Sequence, residues 1–314
     1  MRESEGRFTW RDWSRVPEHQ RRACVVLIVC VLFFIVSSVG VVLVLILDAR
    51  AADVRAALDP TRGTSDSLPQ GGSGGVQGVR EPEPFAGGIL AQGTDAAQEY
   101  LDETLFIGDS NMVRMYAYGL VPLENVMAME GMGVESVVDL PCVYYAGESK
   151  AYTIPQAVAK TNPRRIVMTF GTNDAGGAYT TETFMEVYRG AVRAIQKACP
   201  DCDLILNSIP PVCKQRSYPD TDMDTINEFN AAILALAQEW HMPYLDSAEA
   251  LTGADGYAKP EYWVEDGLHM NKDALEVLLN YVRTHPYRAD EERDPAPLSD
   301  SPERRLPPGW QGYS

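Results

Sequence analysis

Three polar blocks lie far apart in this 314-residue chain but carry complementary chemistry. Gly108-Asp109-Ser110 offers a hydroxyl, and Gly171-Thr172-Asn173-Asp174 offers a side-chain amide. Asp266-Gly267-Leu268-His269 offers an imidazole with a carboxylate three residues ahead of it. An aspartate that receives one ring N–H fixes the imidazole tautomer, and the other ring nitrogen can then deprotonate a serine. An amide aimed at a carbonyl oxygen stabilises negative charge as it develops there. The chemistry these three blocks would perform together is acyl transfer through a serine nucleophile. Each also has a plainer use: Ser110 in a helix cap, Asn173-Asp174 near Gly176-Gly177 in an ordinary turn, and the histidine block in a surface turn. Of the four histidines, His19, His241 and His285 have no aspartate at this spacing.

Such groups need elements that bring them to one edge. Five short apolar runs, Thr104–Ile107, Asn125–Met129, Arg165–Phe170, Asp203–Ile209 and Pro243–Leu245, alternate with amphipathic stretches, so each is predicted to be a buried strand followed by a helix. Phe184, Val187, Tyr188, Ala191, Ile195 and Ala198 form one helical stripe; Ile226, Phe229, Ile233, Leu236 and Trp240 form another. A last helix, about Asn271 to Thr284, opens on a capping Asn and ends ahead of Pro286. Crossover helices connect parallel strands, so a parallel sheet covered on both faces is expected, with its ligands beyond the carboxyl ends of the strands. Ser110 and Asn173 each follow such an end, and His269 falls between the fifth strand and the last helix.

These blocks, in the order GDS, an isolated glycine after the second strand, GTND and DGLH, resemble the SGNH/GDSL hydrolases over about Leu101 to His285. The resemblance implies a three-layer α/β/α, flavodoxin-like parallel sheet of five strands and a serine esterase that needs no cofactor and no metal. It implies Ser110 as nucleophile, His269 as general base and Asp266 as the acid that orients it. The oxyanion would be met by the N–H of Ser110, the side chain of Asn173 and a glycine N–H. In Glu130-Gly131-Met132-Gly133 that glycine is Gly131, the nearer to the second strand, with Gly133 the alternative. Hydrolysis and acyl transfer to another alcohol both remain open.

The flanks suggest where this chemistry happens. Residues 24–47 form an apolar run without a charge or a proline, long enough to span a hydrocarbon core of about 30 Å. Arg2, Arg7, Arg11, Arg15, Arg21 and Arg22 precede it, which leaves the N-terminus in the cytoplasm and everything after Leu47 outside. A cleaved signal ending near Ala49-Arg50-Ala51 is the competing reading. The expected organisation is a cytoplasmic tail (1–23), a transmembrane helix (24–47), a flexible Gly/Ser/Pro-rich linker (48–98), the hydrolase domain (99–287) and a disordered tail (288–314). The domain is thus expected outside the membrane, tethered by its linker.

A net charge of −17 leaves no basic face for nucleic acid. The expected partner is an ester substrate, a short ester, acetyl first, on a cell-envelope or other polysaccharide. The alternatives are an O-acetyltransferase, a lipase or thioesterase, and an anchored carbohydrate-binding domain without catalysis. Cys199 and Cys202 suit a local disulfide, with Cys142–Cys213 a further pairing. A zinc site is disfavoured because Cys213 lies a strand's length away from that pair. A metallophosphoesterase is disfavoured because the first and third strand-end loops hold no histidine. Tyr262 and Trp263 suit either a sugar platform or the core.

Overall fold

Alternate side chains of a strand point to opposite faces, and in this chain both faces are apolar. Leu105, Ile107, Ile166, Met168, Leu204 and Leu206 pack into one buried cluster, while Phe106, Val167 and Ile205 pack into another. The computed structural model describes residues 88–289 and 297–307, all within Gly78–Ser314, the second of the chain's two units. In chain order the elements are β1 (Gly88–Ile89), α1 (Ala97–Asp102), β2 (Thr104–Gly108), α2 (Ser110–Ala117), β3 (Val126–Ala128), α3 (Ser136–Asp139), β4 (Val143–Tyr145), β5 (Ala151–Tyr152) and α4 (Ile154–Thr161). There follow β6 (Arg165–Thr169), α5 (Thr181–Ala198), β7 (Asp203–Asn207), α6 (Met223–Glu239), β8 (Pro243–Leu245), α7 (Ala248–Leu251), α8 (Lys272–Thr284) and β9 (Arg304–Arg305).

The main sheet has six strands, not the expected five, in the order β1-β8-β7-β6-β2-β3, and every neighbouring pair is parallel. Without β1, the five expected strands run 2-1-3-4-5, the flavodoxin-like order. Helices α4, α5 and α6 cover one face, and α1, α2 and α8 the other. The predicted stripes are their buried sides: Phe184, Tyr188, Ala191 and Ile195 on α5, and Ile226, Phe229, Ile233 and Leu236 on α6. Asn271 caps α8, its side chain accepting from the Ala274 N–H.

Two domain boundaries need correction. The linker was expected to run to residue 98, but Gly88–Ile89 already pair with Pro243–Tyr244, and the Leu90 N–H donates to Tyr244 O at 2.8 Å. These are main-chain bonds, which leave little trace in side-chain pattern. The tail was expected to be disordered from 288, yet Leu298 is buried in the core. Arg304–Arg305 pair antiparallel with Tyr144–Tyr145 in a small sheet, β5-β4-β9, their guanidinium groups lying 5.8 and 4.8 Å from the Tyr145 and Tyr144 rings. One buried leucine and two cation–aromatic contacts hold a segment whose composition reads as polar. Cys199 and Cys202 are joined as expected, whereas Cys142 and Cys213 are free, buried thiols. The expected tail 1–23 and span 24–47 lie outside the described residues, among which no helix is long and apolar enough to cross a membrane.

Candidate active site

Ser110 is the first residue of α2, directly after β2. Asp109 caps this helix, its Oδ1 accepting from the Asn111 N–H at 2.9 Å, so the cap is the aspartate and the serine hydroxyl stays available. As the first residue of a helix, Ser110 has an N–H with no intrahelical acceptor, and it stands at the positive end of the helix dipole. The turn is tight: a side chain on Gly108 would meet Met112 Cγ at 2.5 Å and Thr169 O at 2.6 Å.

The third block reaches this serine from the loop between α7 and α8. His269 Nε2 lies 2.9 Å from Ser110 Oγ, and His269 Nδ1 lies 2.7 Å from Asp266 Oδ2. Asp266 Oδ1 accepts from the Leu268 and His269 N–H groups, each at 2.9 Å. Burial pushes the Asp266 carboxyl up, but the bonds from the His269 ring and from these two amides outweigh it and hold the group below its ordinary value. The neighbouring chain fixes the loop: Cys213 N–H donates to Gly267 O at 2.9 Å and Ser217 N–H to Asp266 O at 2.8 Å. Gly267 has φ +67° and touches Gln215 O and Arg216 so closely that any side chain there would clash.

Asn173 follows β6 by way of Phe170, Gly171 and Thr172. Its Nδ2 donates to Met132 O at 3.1 Å and, at a long 3.5 Å, to Asp109 Oδ2, so an oxyanion would replace the weaker contact. The two glycine candidates separate. Gly131 (φ +69°) lines the same cleft as Ser110 and Asn173, whereas Gly133 is held against Asp174, whose Oδ1 would lie 2.8 Å from a side chain at that position.

The cleft has a volume of about 740 Å3 and is lined by Ser110, Gly131, Asn173 and His269, with Arg114 on one side and 217–221 on another. The loop between β7 and α6 therefore supplies part of its wall. Trp263 is buried, its Nε1 donating to Leu268 O, and Tyr262 packs on the core; neither lines the cleft.

Three participants were not picked out from the sequence. Asn111, 1% exposed, accepts from the Met270 N–H at 2.9 Å through its Oδ1, latching the histidine loop to the serine helix across 159 residues. Its only sequence signal is that it adjoins Ser110. Asp109 and Asp174 are buried acids beneath the site. Burial pushes Asp109 up to about 6 against the pull of the Asn111 N–H and His269. Burial pushes Asp174 up to about 7, with the Val134 N–H, which donates to both its oxygens at 3.1 and 3.2 Å, opposing and Asp109 adding. Among the described residues, no group of three or more His, Cys, Asp or Glu is arranged to hold a metal ion.

Residues 106–276, more than half of the chain, match the model of the GDSL-like lipase/acylhydrolase family. Comparison with curated proteins gives no match. Among solved structures, the chain is similar to a GDSL-like lipase from Bacteroides thetaiotaomicron (15% identity, covering 56% of this chain and 82% of that one, TM-score 0.42). It is also similar to a carbohydrate esterase family 3 protein from Talaromyces cellulolyticus (16% identity, 57% and 92%, TM-score 0.40) and to a lipase/acylhydrolase from Enterococcus faecalis (19% identity, 56% and 93%, TM-score 0.39).

Proposed function

The chain belongs to the GDSL-like lipase/acylhydrolase family and is an ester-hydrolysing enzyme; from this premise we propose that Ser110, His269 and Asp266 are its catalytic triad and that it removes short acyl groups, acetyl first among them, from a polysaccharide outside the cytoplasm. The observation that carries the triad is the unbroken run of contacts from Asp266 Oδ2 through the His269 ring to Ser110 Oγ, at 2.7 and 2.9 Å.

In this scheme His269 Nε2 accepts the Ser110 proton as Oγ attacks the ester carbonyl, and Asp266 steadies the imidazolium that forms. The carbonyl oxygen, now negative, accepts from the N–H groups of Ser110 and Gly131 and from Asn173 Nδ2. Collapse expels the alcohol, which takes its proton from His269. Water, activated by the same nitrogen, then cleaves the acyl-enzyme and returns the serine.

The character of the cleft favours a short acyl group on a polar alcohol. Polar side chains of Glu130, Ser217, Asp220 and Thr221 stand beside the triad and interrupt the cleft's apolar surface, and half-exposed Tyr218 also lines it. A long acyl chain needs a continuous apolar trough, which these residues do not supply. The anchor and the extracytoplasmic location rest on the apolar run 24–47 and the arginines ahead of it.

Labelling by a fluorophosphonate, lost in Ser110→Ala, tests the nucleophile. Acetate release from O-acetylated glycan, measured against hydrolysis of octanoyl esters, tests the substrate. Efficient octanoyl cleavage with no acetate from any glycan would replace this reading with a lipase or thioesterase. Acetyl transfer in excess of acetate release would make the enzyme a transferase. Protease added to intact cells should release a fragment cut ahead of Gly88, and protection of that region would overturn the topology.

A further inference from the structure

A second cavity, of about 250 Å3, adjoins the cleft, with which it shares Glu130. Its walls are largely apolar: Val113 of α2, Leu123 just ahead of β3, Val126 and Ala128 of that edge strand, Cys142, and Leu306 after β9. Against them stands Arg304. Its Nε and Nη1 are buried and have no hydrogen-bond partner among the described residues. The Tyr145 ring centroid lies 5.8 Å from the guanidinium, and Glu124 and the Cys142 thiol act on it only through space. Glu130 is exposed.

An arginine keeps its charge even where burial makes that charge costly, so the cost falls on its unmet N–H groups. A carboxylate is the natural complement of such a group, and an apolar chamber selects what the carboxylate is attached to. At about 30 Å3 for each water-sized group, the chamber holds roughly eight heavy atoms, the number in hexanoate. Acetate would leave most of the space empty.

We propose that this cavity is a binding site for a small apolar carboxylic acid, held as its carboxylate by Arg304 with its hydrocarbon part against Val113, Val126 and Cys142. The site is separate from the triad and does not depend on the substrate assigned above.

Calorimetric titration of the full-length chain at pH 7.5 with hexanoate, hexan-1-ol, acetate and inorganic phosphate tests this. Hexanoate should bind saturably at one site, and the other three at least tenfold more weakly. Arg304→Gln should weaken hexanoate at least tenfold, and Ala128→Phe, which fills the chamber and spares the guanidinium, should do the same. Ser110→Ala should bind hexanoate as the wild type does, which separates the cavity from the cleft. Without ligand, Arg304→Gln gives up the contact with the Tyr145 ring but also two buried N–H groups without hydrogen-bond partners, so it should melt close to the wild type, and lost binding is then not lost folding. Hexanol binding as tightly as hexanoate, phosphate binding as tightly, or hexanoate binding unmoved by both cavity substitutions would each overturn the proposal.

Discussion

Asp266→Asn should silence the enzyme by reversing its histidine, and the hydrogen bonds around Asp266 show why the amide cannot avoid this by turning over. Oδ1 accepts from two backbone N–H groups at 2.9 Å, while Oδ2 meets only the ring nitrogen at 2.7 Å. An amide with its NH2 toward the backbone would oppose donor to donor twice, losing two bonds together worth about 1–3 kcal/mol. With its NH2 toward the ring, both backbone bonds survive and only Nδ1 must change, from donor to acceptor. The second arrangement is favoured by about 1 kcal/mol or more, and it drives the ring proton onto Nε2. There it points at Ser110 Oγ and cannot accept the serine proton, so kcat should fall about 10⁴-fold. Asp266→Ala leaves the ring free to choose its tautomer but strips both backbone amides of their acceptor. It should retain more activity than Asp266→Asn while losing about 1–3 kcal/mol of stability that Asp266→Asn keeps. The assay is kcat for p-nitrophenyl acetate on the full-length protein, with thermal melting alongside. Asp266→Asn within tenfold of wild type, or an alanine variant that is the more stable and less active of the two, would refute the tautomer argument.

Asn173→Ala should lower kcat by about 10²–10³-fold with little change in KM, and steady-state kinetics showing an effect on KM alone would remove Asn173 from the oxyanion site. Asn111→Ala orphans the buried Met270 N–H and should cost about 1–3 kcal/mol in urea unfolding, with kcat falling more than KM rises; an unchanged midpoint would mean that the latch carries no load. Asp174 binds its proton more tightly when folded, at about 7 against about 3.9 unfolded, so wild-type stability is full below pH 4 and declines as pH rises through 7, by at most about 4 kcal/mol. Asp174→Asn keeps an acceptor for Val134 without the ionisation, so melting curves should show it gaining on the wild type between pH 5 and 8, and a constant gap would contradict the buried acid.

What the sequence disclosed and what it hid divide along physical lines. The five expected strands were legible because a strand buried on both faces is apolar through its middle, as in Leu105-Phe106-Ile107 and Leu204-Ile205-Leu206. The meeting of Ser110, His269 and Asp266 was legible because each sits in a short block whose internal geometry is local, the Asp266–His269 bond spanning three residues. Strand β1 escaped because its pairing uses main-chain atoms, for which glycine and isoleucine serve alike. Residues 297–307 escaped because a single buried leucine does not lift a segment rich in Pro, Ser and Arg above a disordered background. The Asn111–Met270 bond escaped because no local pattern reports a contact between positions 159 residues apart. Gly131 and Gly133 could not be told apart in sequence; they differ in what lies beside them, open cleft for one and Asp174 for the other.

The stretch from Cys213 to Thr221 performs two tasks in series. Its first half clamps the acid, through Cys213 N–H to Gly267 O and through the close seat of Gln215 and Arg216 on Gly267; its second half walls the cleft. Arg216 ties the halves together, donating through Nε to Thr221 O at 2.6 Å and through Nη1 to Cys213 O at 3.2 Å. For divergence or redesign this makes the loop only half exchangeable. Residues 218–220 can be traded to reshape the pocket while Asp266, His269 and Ser110 stay in register, but an insertion or deletion between 213 and 217 would alter specificity and loosen Asp266 in the same step. Libraries that recombine the loop as one cassette should therefore yield mostly inactive proteins, and those that randomise only its outer turn should keep the chemistry intact while the substrate changes.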